Sequence, residues 1–215
     1  MKVGILGSGE VGQALGRGFV SRGHDVKIGS RNPKGETLEK WVKEQRKGKA
    51  SVGTMAEAAK HGEVLVLATL GAALEDVVRL AGPPNFRGKV VIDVTNPLGD
   101  PSRGPALFVG LTDSLGERLQ RLLPDSHVVK CFNTVPNTQM VDPKFSGGAP
   151  DMLIAGNDAA AKKRVEGILK EFGWPGAIDV GGIEGARWLE ASVPLWVLVG
   201  MKLGRWDHAF KIVHG

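Results

Sequence analysis

A glycine pattern near the start of the chain restricts its fold more than any other feature. Gly7-Ser8-Gly9-Glu10-Val11-Gly12 follows the short apolar run Lys2–Leu6. It leads into Val11–Ser21, where Val11, Leu15, Phe19 and Val20 stand near helical spacing. Strand, glycine turn and helix in that order build a phosphate cradle. The first glycine permits the tight turn, the second lets a pyrophosphate reach the backbone, and the third lets helix and strand pack closely. Gly16, a turn further on, extends that close packing. The uncapped amides and dipole of the helix N-terminus then face an anion. Glu10, in the first helical turn, would repel that anion and is expected to point to solvent, with no catalytic role.

The alternation continues. Asp25–Ile28 reads as a strand, Glu36–Lys47 as an amphipathic helix and Ser51–Val52 as a third strand. Thr54 with Glu57 three residues on predicts a capping box for the helix Met55–Lys60. Glu63–Ala68, Lys89–Val94 and His127–Phe132 are apolar strands, and Ala72–Leu80 and Asp113–Leu123 are helices; Pro97 to Gly110 should be a loop. Continuous apolar strands between helices imply a parallel sheet covered on both faces. After Pro136 the pattern changes: a short helix Asn137–Met140, a strand Asp151–Ala155, a helix Asp158–Phe172, a strand Ala177–Val180 and a mostly helical Ile183–Val199, kinked or restarted at Pro194. The expected fold is α/β: a Rossmann-type, doubly wound, mainly parallel sheet over residues 1–148, with a small C-terminal α/β-to-helical lobe over residues 149–215.

Composition removes several alternatives. No apolar run reaches the ~18 residues of a membrane span, and the start of the chain has no signal-peptide pattern, so a cytoplasmic protein is expected. A single cysteine, Cys131, excludes an internal disulfide framework and any multi-cysteine metal site. The net charge of +5 comes from bases interspersed with acids, as in Lys34 to Lys49. That pattern points to solvated faces rather than a nucleic-acid surface, and a positive field suits a polyanionic small ligand. The chain has no tyrosine, so the Tyr-x-x-x-Lys chemistry of short-chain dehydrogenases is excluded.

The end of the second strand distinguishes NADP from NAD. An NAD site places an acid there, about 20 residues after the fingerprint. Here the stretch is Lys27-Ile28-Gly29-Ser30-Arg31-Asn32-Pro33-Lys34, and the nearby acid, Asp25, lies at the wrong end of the strand. Arg31 can grip a 2′-phosphate with a forked, charge-assisted pair and stack on adenine; Ser30 adds a hydroxyl and Lys34 a point charge. Ligands of open α/β sheets lie at the carboxyl ends of the strands, so the other lining loops should begin at Ala68-Thr69-Leu70-Gly71, Thr95-Asn96-Pro97-Leu98 and Asn133-Thr134-Val135-Pro136. Thr69 and Asn96 are candidates for ribose or phosphate contacts. Asn133 and Thr134 stand where a nicotinamide is expected.

No acid–base team is evident. His24, His61, His127, His208 and His214 lack metal-ligand spacing, and His24 and His127 are expected at the surface. Cys131 reads as core, and no nucleophile elbow is present. Hydride transfer between two cofactors needs alignment more than proton transfer. Trp174, Trp188, Trp196 and Trp206 fall in the C-terminal part, where Val193–Val199 is too apolar for a free surface. That run suits core, a dimer interface or a wall for a flat aromatic substrate.

With these residues assembled, the chain resembles the NADPH-dependent oxidoreductases of coenzyme F420, a 5-deazaflavin, over essentially its whole length. The resemblance rests on Gly7 to Gly12, on Gly29-Ser30-Arg31, on Thr134-Val135-Pro136, and most specifically on the tail Arg187-Trp188-Leu189-Glu190-Ala191-Ser192-Val193-Pro194-Leu195. It implies reversible hydride transfer between NADP and the deazaflavin in a cleft between the lobes, and a homodimer. It also implies that Ser8, Gly9, Glu10 and Val11 touch the pyrophosphate and that Ser30, Arg31 and Lys34 hold the 2′-phosphate. Two positions depart from the family pattern: Asn133 where a histidine is usual and Gly71 where a bulky residue is usual. Asp93-Val94-Thr95-Asn96-Pro97-Leu98 is closer to relatives such as the reductase domain of six-span ferric reductases. The alternatives are therefore reduction of another acceptor (a flavin, a metal chelate, a small carbonyl or imine) or a non-catalytic NADPH-binding regulator.

Overall fold

The computed structural model describes residues 1–213; His214 lies outside the described residues. One eight-stranded sheet runs in the order β3-β2-β1-β4-β5-β6-β7-β8. Its strands are β1 Lys2–Leu6, β2 Asp25–Gly29, β3 Lys49–Gly53, β4 Val64–Leu67, β5 Val90–Asp93, β6 His127–Lys130, β7 Leu153–Gly156 and β8 Ile178–Asp179. The first six pair in parallel. β7 runs antiparallel to β6 and β8 parallel to β7. After β3 the chain returns to place β4 beside β1, so the strand order reverses at the β1–β4 seam. That seam is the crevice where open α/β sheets take ligands.

The helices are α1 Glu10–Ser21, α2 Glu36–Glu44, α3 Met55–His61, α4 Leu74–Ala81, α5 Leu115–Leu122, α6 Ala159–Glu171, α7 Ala186–Ala191 and α8 Val193–Leu203. Side chains alternate across a strand, and the sheet therefore supports two cores. Val3, Ile5, Val66, Ile92, Val129 and Cys131 face one way, against Leu15, Phe19, Trp41, Val165 and Phe172. Leu6, Leu65, Leu67, Val91 and Val128 face the other way, against α3, α4 and α5. Burying one such side chain stabilises by ~1.5–3 kcal/mol. At Gly16 an added Cβ would lie 2.7 Å from the Trp41 ring, so the small residue does bring helix and core together.

Several element bounds differ from the sequence expectation. α2 stops at Glu44 rather than Lys47, because nothing beyond Trp41 continues its buried stripe. β3 spans five residues instead of two, paired along its length with β2. The Asp113–Leu123 helix begins after its cap, Ser114. The Ile183–Val199 segment divides into a 3-10 turn, α7 and α8, and Pro194 opens α8 as a restart rather than a kink. Proline fits there because the first helical amides need no intrahelical partner. His24 is not a free surface residue: its ring packs beside Phe19, and Nε2 lies 2.8 Å from Glu171.

Candidate functional site

The glycine turn has the geometry its spacing predicts, with an informative asymmetry. Gly7 has φ +131°, and a Cβ there would stand 2.1 Å from the Ala68 carbonyl oxygen. A Cβ on Gly12 would stand 2.1 Å from the Gly7 carbonyl oxygen. These two glycines are required by the protein's own packing. Gly9 has φ −73°, open to any residue, and a Cβ there meets nothing within 4 Å. The chain itself does not need a glycine at position 9; something that approaches this backbone does. Gly9 is also the N-cap of α1, and no side chain caps that helix, so its first amides are left for an anion.

A cavity of ≈ 820 Å³ opens at this turn. It is lined by residues 7–11, by Ser30, Arg31 and Asn32 after β2, and by Ala68, Thr69 and Leu70 after β4. The Ser8 and Ser30 hydroxyls lie 3.1 Å apart and join the first two loops. Ser30 Oγ also accepts from the Asn32 amide at 3.1 Å. Arg31 is exposed and makes no ion pair or side-chain hydrogen bond among the described residues. Asp25 does not face the cavity; it pairs with His61 at 3.2 Å at the far end of β2. Thr69 Oγ1 and Asn96 Oδ1 are buried without a hydrogen-bond partner among the described residues. A buried polar atom left unpaired costs about 1–3 kcal/mol, and both stand in loops that follow the strand ends beside the cavity. Glu10 is exposed and accepts a hydrogen bond from Asn137 at 3.2 Å, bridging α1 and the loop after β6.

Other expected residues lie outside this lining. Gly12 is under the turn, and Lys34 is exposed further along the β2 loop. Asn96, Pro97, Asn133, Thr134 and Pro136 form a second group at the ends of β5 and β6, reached through Val94, which does line the cavity. Asn133 is buried, and its side-chain amide donates to the Leu189 carbonyl at 2.5 Å. Its own carbonyl accepts from Asn96 Nδ2 at 3.3 Å. The Asn133 amide thus ties α7 to the β6 loop instead of projecting a free donor. Phe132, just before it, has φ +63°, a costly conformation for a bulky residue and one concentrated at functional sites. Gly71 is explained too: a Cβ there would lie 2.3 Å from the Asn96 carbonyl oxygen, so this backbone excludes a bulky residue.

The sequence reading missed two groups. Met55 and one face of α4, including Val77 and Leu80, complete the cavity wall, with Asp76 and Arg79 paired at 2.9 Å on its rim. The spacing of Ala73, Val77 and Leu80 was a readable signal. The other group is a fully buried charge cluster. Lys130 Nζ lies 3.0 Å from Asp93 Oδ2 and 2.7 Å from Glu190 Oε1, and donates to the Thr95 carbonyl at 2.5 Å. Glu190 also accepts from the Leu115 and Gly116 amides at the start of α5. Burial would depress the Lys130 ammonium, but Asp93 and Glu190 more than reverse this and hold it above the usual lysine range. Burial pushes the Glu190 carboxyl up, with Lys130 opposing.

At the α8 end, Trp196 stacks on His208 with ring centroids 4.6 Å apart, and Trp174 is core. Leu195, Leu198, Met201 and Trp188 are more than half exposed. No cluster of three or more metal-ligating side chains occurs among the described residues, and none of their helices is long and apolar enough to cross a membrane.

Comparison with known proteins matches this geometry to a family. Residues 2–97 fit the family described as NADP oxidoreductase, coenzyme F420-dependent. An F420-dependent NADP reductase of Methanothermobacter marburgensis is 31% identical, over 94% of this chain and 93% of its own. The metalloreductase STEAP3 of Rattus norvegicus is 32% identical over 94% of this chain, which spans 38% of that protein. A crystal structure from Arthrobacter sp. FB24, described as that of a candidate F420-dependent NADP reductase, superposes with a TM-score of 0.94 at 38% identity, covering all of both chains. The chain belongs to the family of F420-dependent NADP oxidoreductases.

Proposed function

We propose that this chain transfers a hydride between NADP(H) and coenzyme F420. The observation that carries the cofactor half is Gly9: a glycine that the chain's own packing does not require, at an uncapped helix N-terminus that faces the cavity. Ser30 and Arg31 beside it, with no acid at the end of β2, favour the 2′-phosphate form. Residues 7–11 would hold the pyrophosphate. Ser30, Arg31, Asn32 and Lys34 would hold the 2′-phosphate and adenine, and Thr69 and Asn96, with Ala68, Leu70, Pro97 and Pro136 around them, the ribose and nicotinamide side. The bound nucleotide supplies the hydride and its electron pair; the deazaflavin takes these up with one proton from solvent. The protein's part is alignment and exclusion of water, with Asn133 and Thr134 as positioning residues.

The deazaflavin half rests on family membership and on the full-length match to an F420-dependent reductase. We assign residues 1–148 to the nucleotide and residues 149–215 to the acceptor side and the subunit contact. The exposed Leu195, Leu198 and Met201 of α8 favour a homodimer, and a cytoplasmic setting fits a two-cofactor exchange. Reduction of a flavin or metal chelate is the second reading. The match to a metalloreductase supports it, as do Asn133 and Gly71 where the family pattern differs.

The test is NADPH oxidation by the purified protein, followed at the nicotinamide absorbance, with F420 and with FMN. Rapid oxidation with F420 and not with FMN is expected. Saturable NADPH binding with turnover only on FMN or a ferric chelate would transfer the assignment to the second reading.

A further inference from the structure

The cluster of Lys130, Asp93 and Glu190 has no part in the proposed chemistry, yet it is the most heavily charged buried site in the described structure. All three side chains are buried to within 1%. Each polar contact of Glu190 is with a donor: Lys130 Nζ, the Leu115 amide and the Gly116 amide. The same holds for Asp93, whose neighbours are Lys130 Nζ and the Thr95 amide and hydroxyl. A proton on the Glu190 carboxyl would find no acceptor among these partners. The cluster thus sets two carboxyl groups against one ammonium. Such a pairing is not a general stabiliser, since well-packed apolar residues serve a core as well or better.

Its place in the fold is informative. Asp93 ends β5 and Lys130 ends β6. Val94, next to Asp93, lines the nucleotide cavity. Thr95, bonded to Lys130, precedes Asn96, whose amide donates to the Asn133 carbonyl, and Asn133 in turn donates to Leu189, next to Glu190. The excess negative charge thus sits one layer below the loops expected to carry the nicotinamide. That ring is cationic when oxidised and neutral when reduced, and in a poorly solvated interior a fixed charge discriminates between the two.

We propose that the uncompensated carboxylate of the Lys130–Asp93–Glu190 cluster selects for the oxidised cofactor, making NADP⁺ bind more tightly relative to NADPH than its phosphates alone would dictate. This rests on the nucleotide site assigned above. It makes the cluster an electrostatic tuner of the cofactor's redox balance, acting without touching it.

The experiment is titration of wild type and variants with NADP⁺ and NADPH separately, reading the ratio of the two Kd values, with thermal unfolding alongside. Glu190→Gln brings the cluster to neutrality and should raise Kd(NADP⁺)/Kd(NADPH) by roughly three- to tenfold, the scale of one unit charge at an effective dielectric near 20. Glu190→Asp keeps the charge but shortens the side chain away from the Leu115 and Gly116 amides, so its ratio should stay near wild type however much its Tm falls. Parallel loss of both affinities in Glu190→Gln, or a ratio that follows Tm rather than charge, would overturn the proposal. Failure of the wild type to bind either nucleotide would instead overturn the site assignment beneath it. If Glu190→Gln does not fold, Asp93→Asn, which also leaves one carboxylate against Lys130, makes the same one-charge comparison with wild type.

Discussion

The two ends of the proposed nucleotide cleft are built on opposite principles. At the β1–α1 end, selectivity comes from what is missing: no side chain on Gly9, no cap on α1, no acid after β2. On the proposed assignment the backbone itself would be the binding surface, with charge kept at the exposed rim in Arg31 and Lys34. At the β5–β6 end, distant segments are bound together by buried polar groups: Lys130 with Asp93 and Glu190, Asn96 with Asn133, and Asn133 with Leu189. A site that meets phosphates can rely on local amides and dipoles. A site that must align a nicotinamide against a second ring needs several elements fixed relative to one another, and buried bonds do this at a cost in stability.

The sharpest way to break this comparison is at the glycines. Gly9→Val is expected to abolish NADPH binding while lowering the unfolding temperature by only a few degrees, the cost of a poorer N-cap, because its Cβ enters open space. Gly12→Val should instead unfold the chain. Isothermal titration with differential scanning calorimetry separates the two, and a Gly9→Val protein that still binds NADPH would remove the cradle assignment. Next in size is Lys130→Met. It strands two carboxylates in the core, and about 3–5 kcal/mol of stability should be lost, measured by urea denaturation at neutral pH. A loss under about 1 kcal/mol would mean that water or a proton already compensates the cluster.

These predictions follow the line between what was legible in the sequence and what was not. The turn at Gly7–Gly12, the second strand's basic end and the capping box at Thr54 are all local: each is decided by residues within a few positions, so spacing alone reveals it. The structure places them as read, down to Glu57 donating its amide to Thr54 and accepting the Thr54 amide in return. The Lys130 cluster has no local signature. A lysine near the end of an apolar strand reads as an edge residue, and its partners come from β5 and α7, far away in the chain. The role of Gly71 was equally hidden, since only the fold brings the Asn96 carbonyl against it. The reason Asn133 is buried lies in Leu189, on a helix that the sequence suggested but could not place.

Arg31→Ala is the next smaller test and concerns the rim alone. Losing a charged hydrogen-bond partner should weaken NADPH relative to NADH by roughly 1.5–3 kcal/mol, with thermal stability unchanged because the side chain is exposed and unpaired among the described residues. Competition titration at two salt concentrations checks it: the wild-type preference for NADPH should shrink with added salt, and the variant's, left to Lys34, should shrink less. Equal weakening of NADH and NADPH would show that Arg31 acts on the adenine face only.

The smallest expected effects come from two helix caps that look alike and belong to opposite ends of the cleft. Thr54 caps α3 through a box closed within four residues and open to solvent. Ser114 caps α5 with the same serine-or-threonine-to-glutamate spacing, but it is buried, and its Glu117 also receives two hydrogen bonds from Arg187 of α7. Removing an N-cap hydroxyl costs about 0.5–2 kcal/mol, and Thr54→Ala should fall in the lower half of that range. Ser114→Ala should reach the upper half, because it also takes a partner from a buried carboxylate that Arg187 must then hold alone. The contrast has an acid-limb signature. Arg187 hydrogen bonds, followed by opposing burial, hold Glu117 below the usual glutamate range. The stability it contributes is therefore present above its unfolded pKa and lost as the pH falls through its lower folded value. Ser114→Ala removes one of the bonds that lower it, so that loss should begin at higher pH than in wild type. Thr54→Ala is the comparison: it too removes a bond that lowers its glutamate, but Glu57 is exposed and couples no second helix, so its acid limb should move less. Identical acid limbs in the two variants would show that α7 is not fastened to α5 through Glu117, and the far end of the cleft would then rest on Glu190 and Asn133 alone.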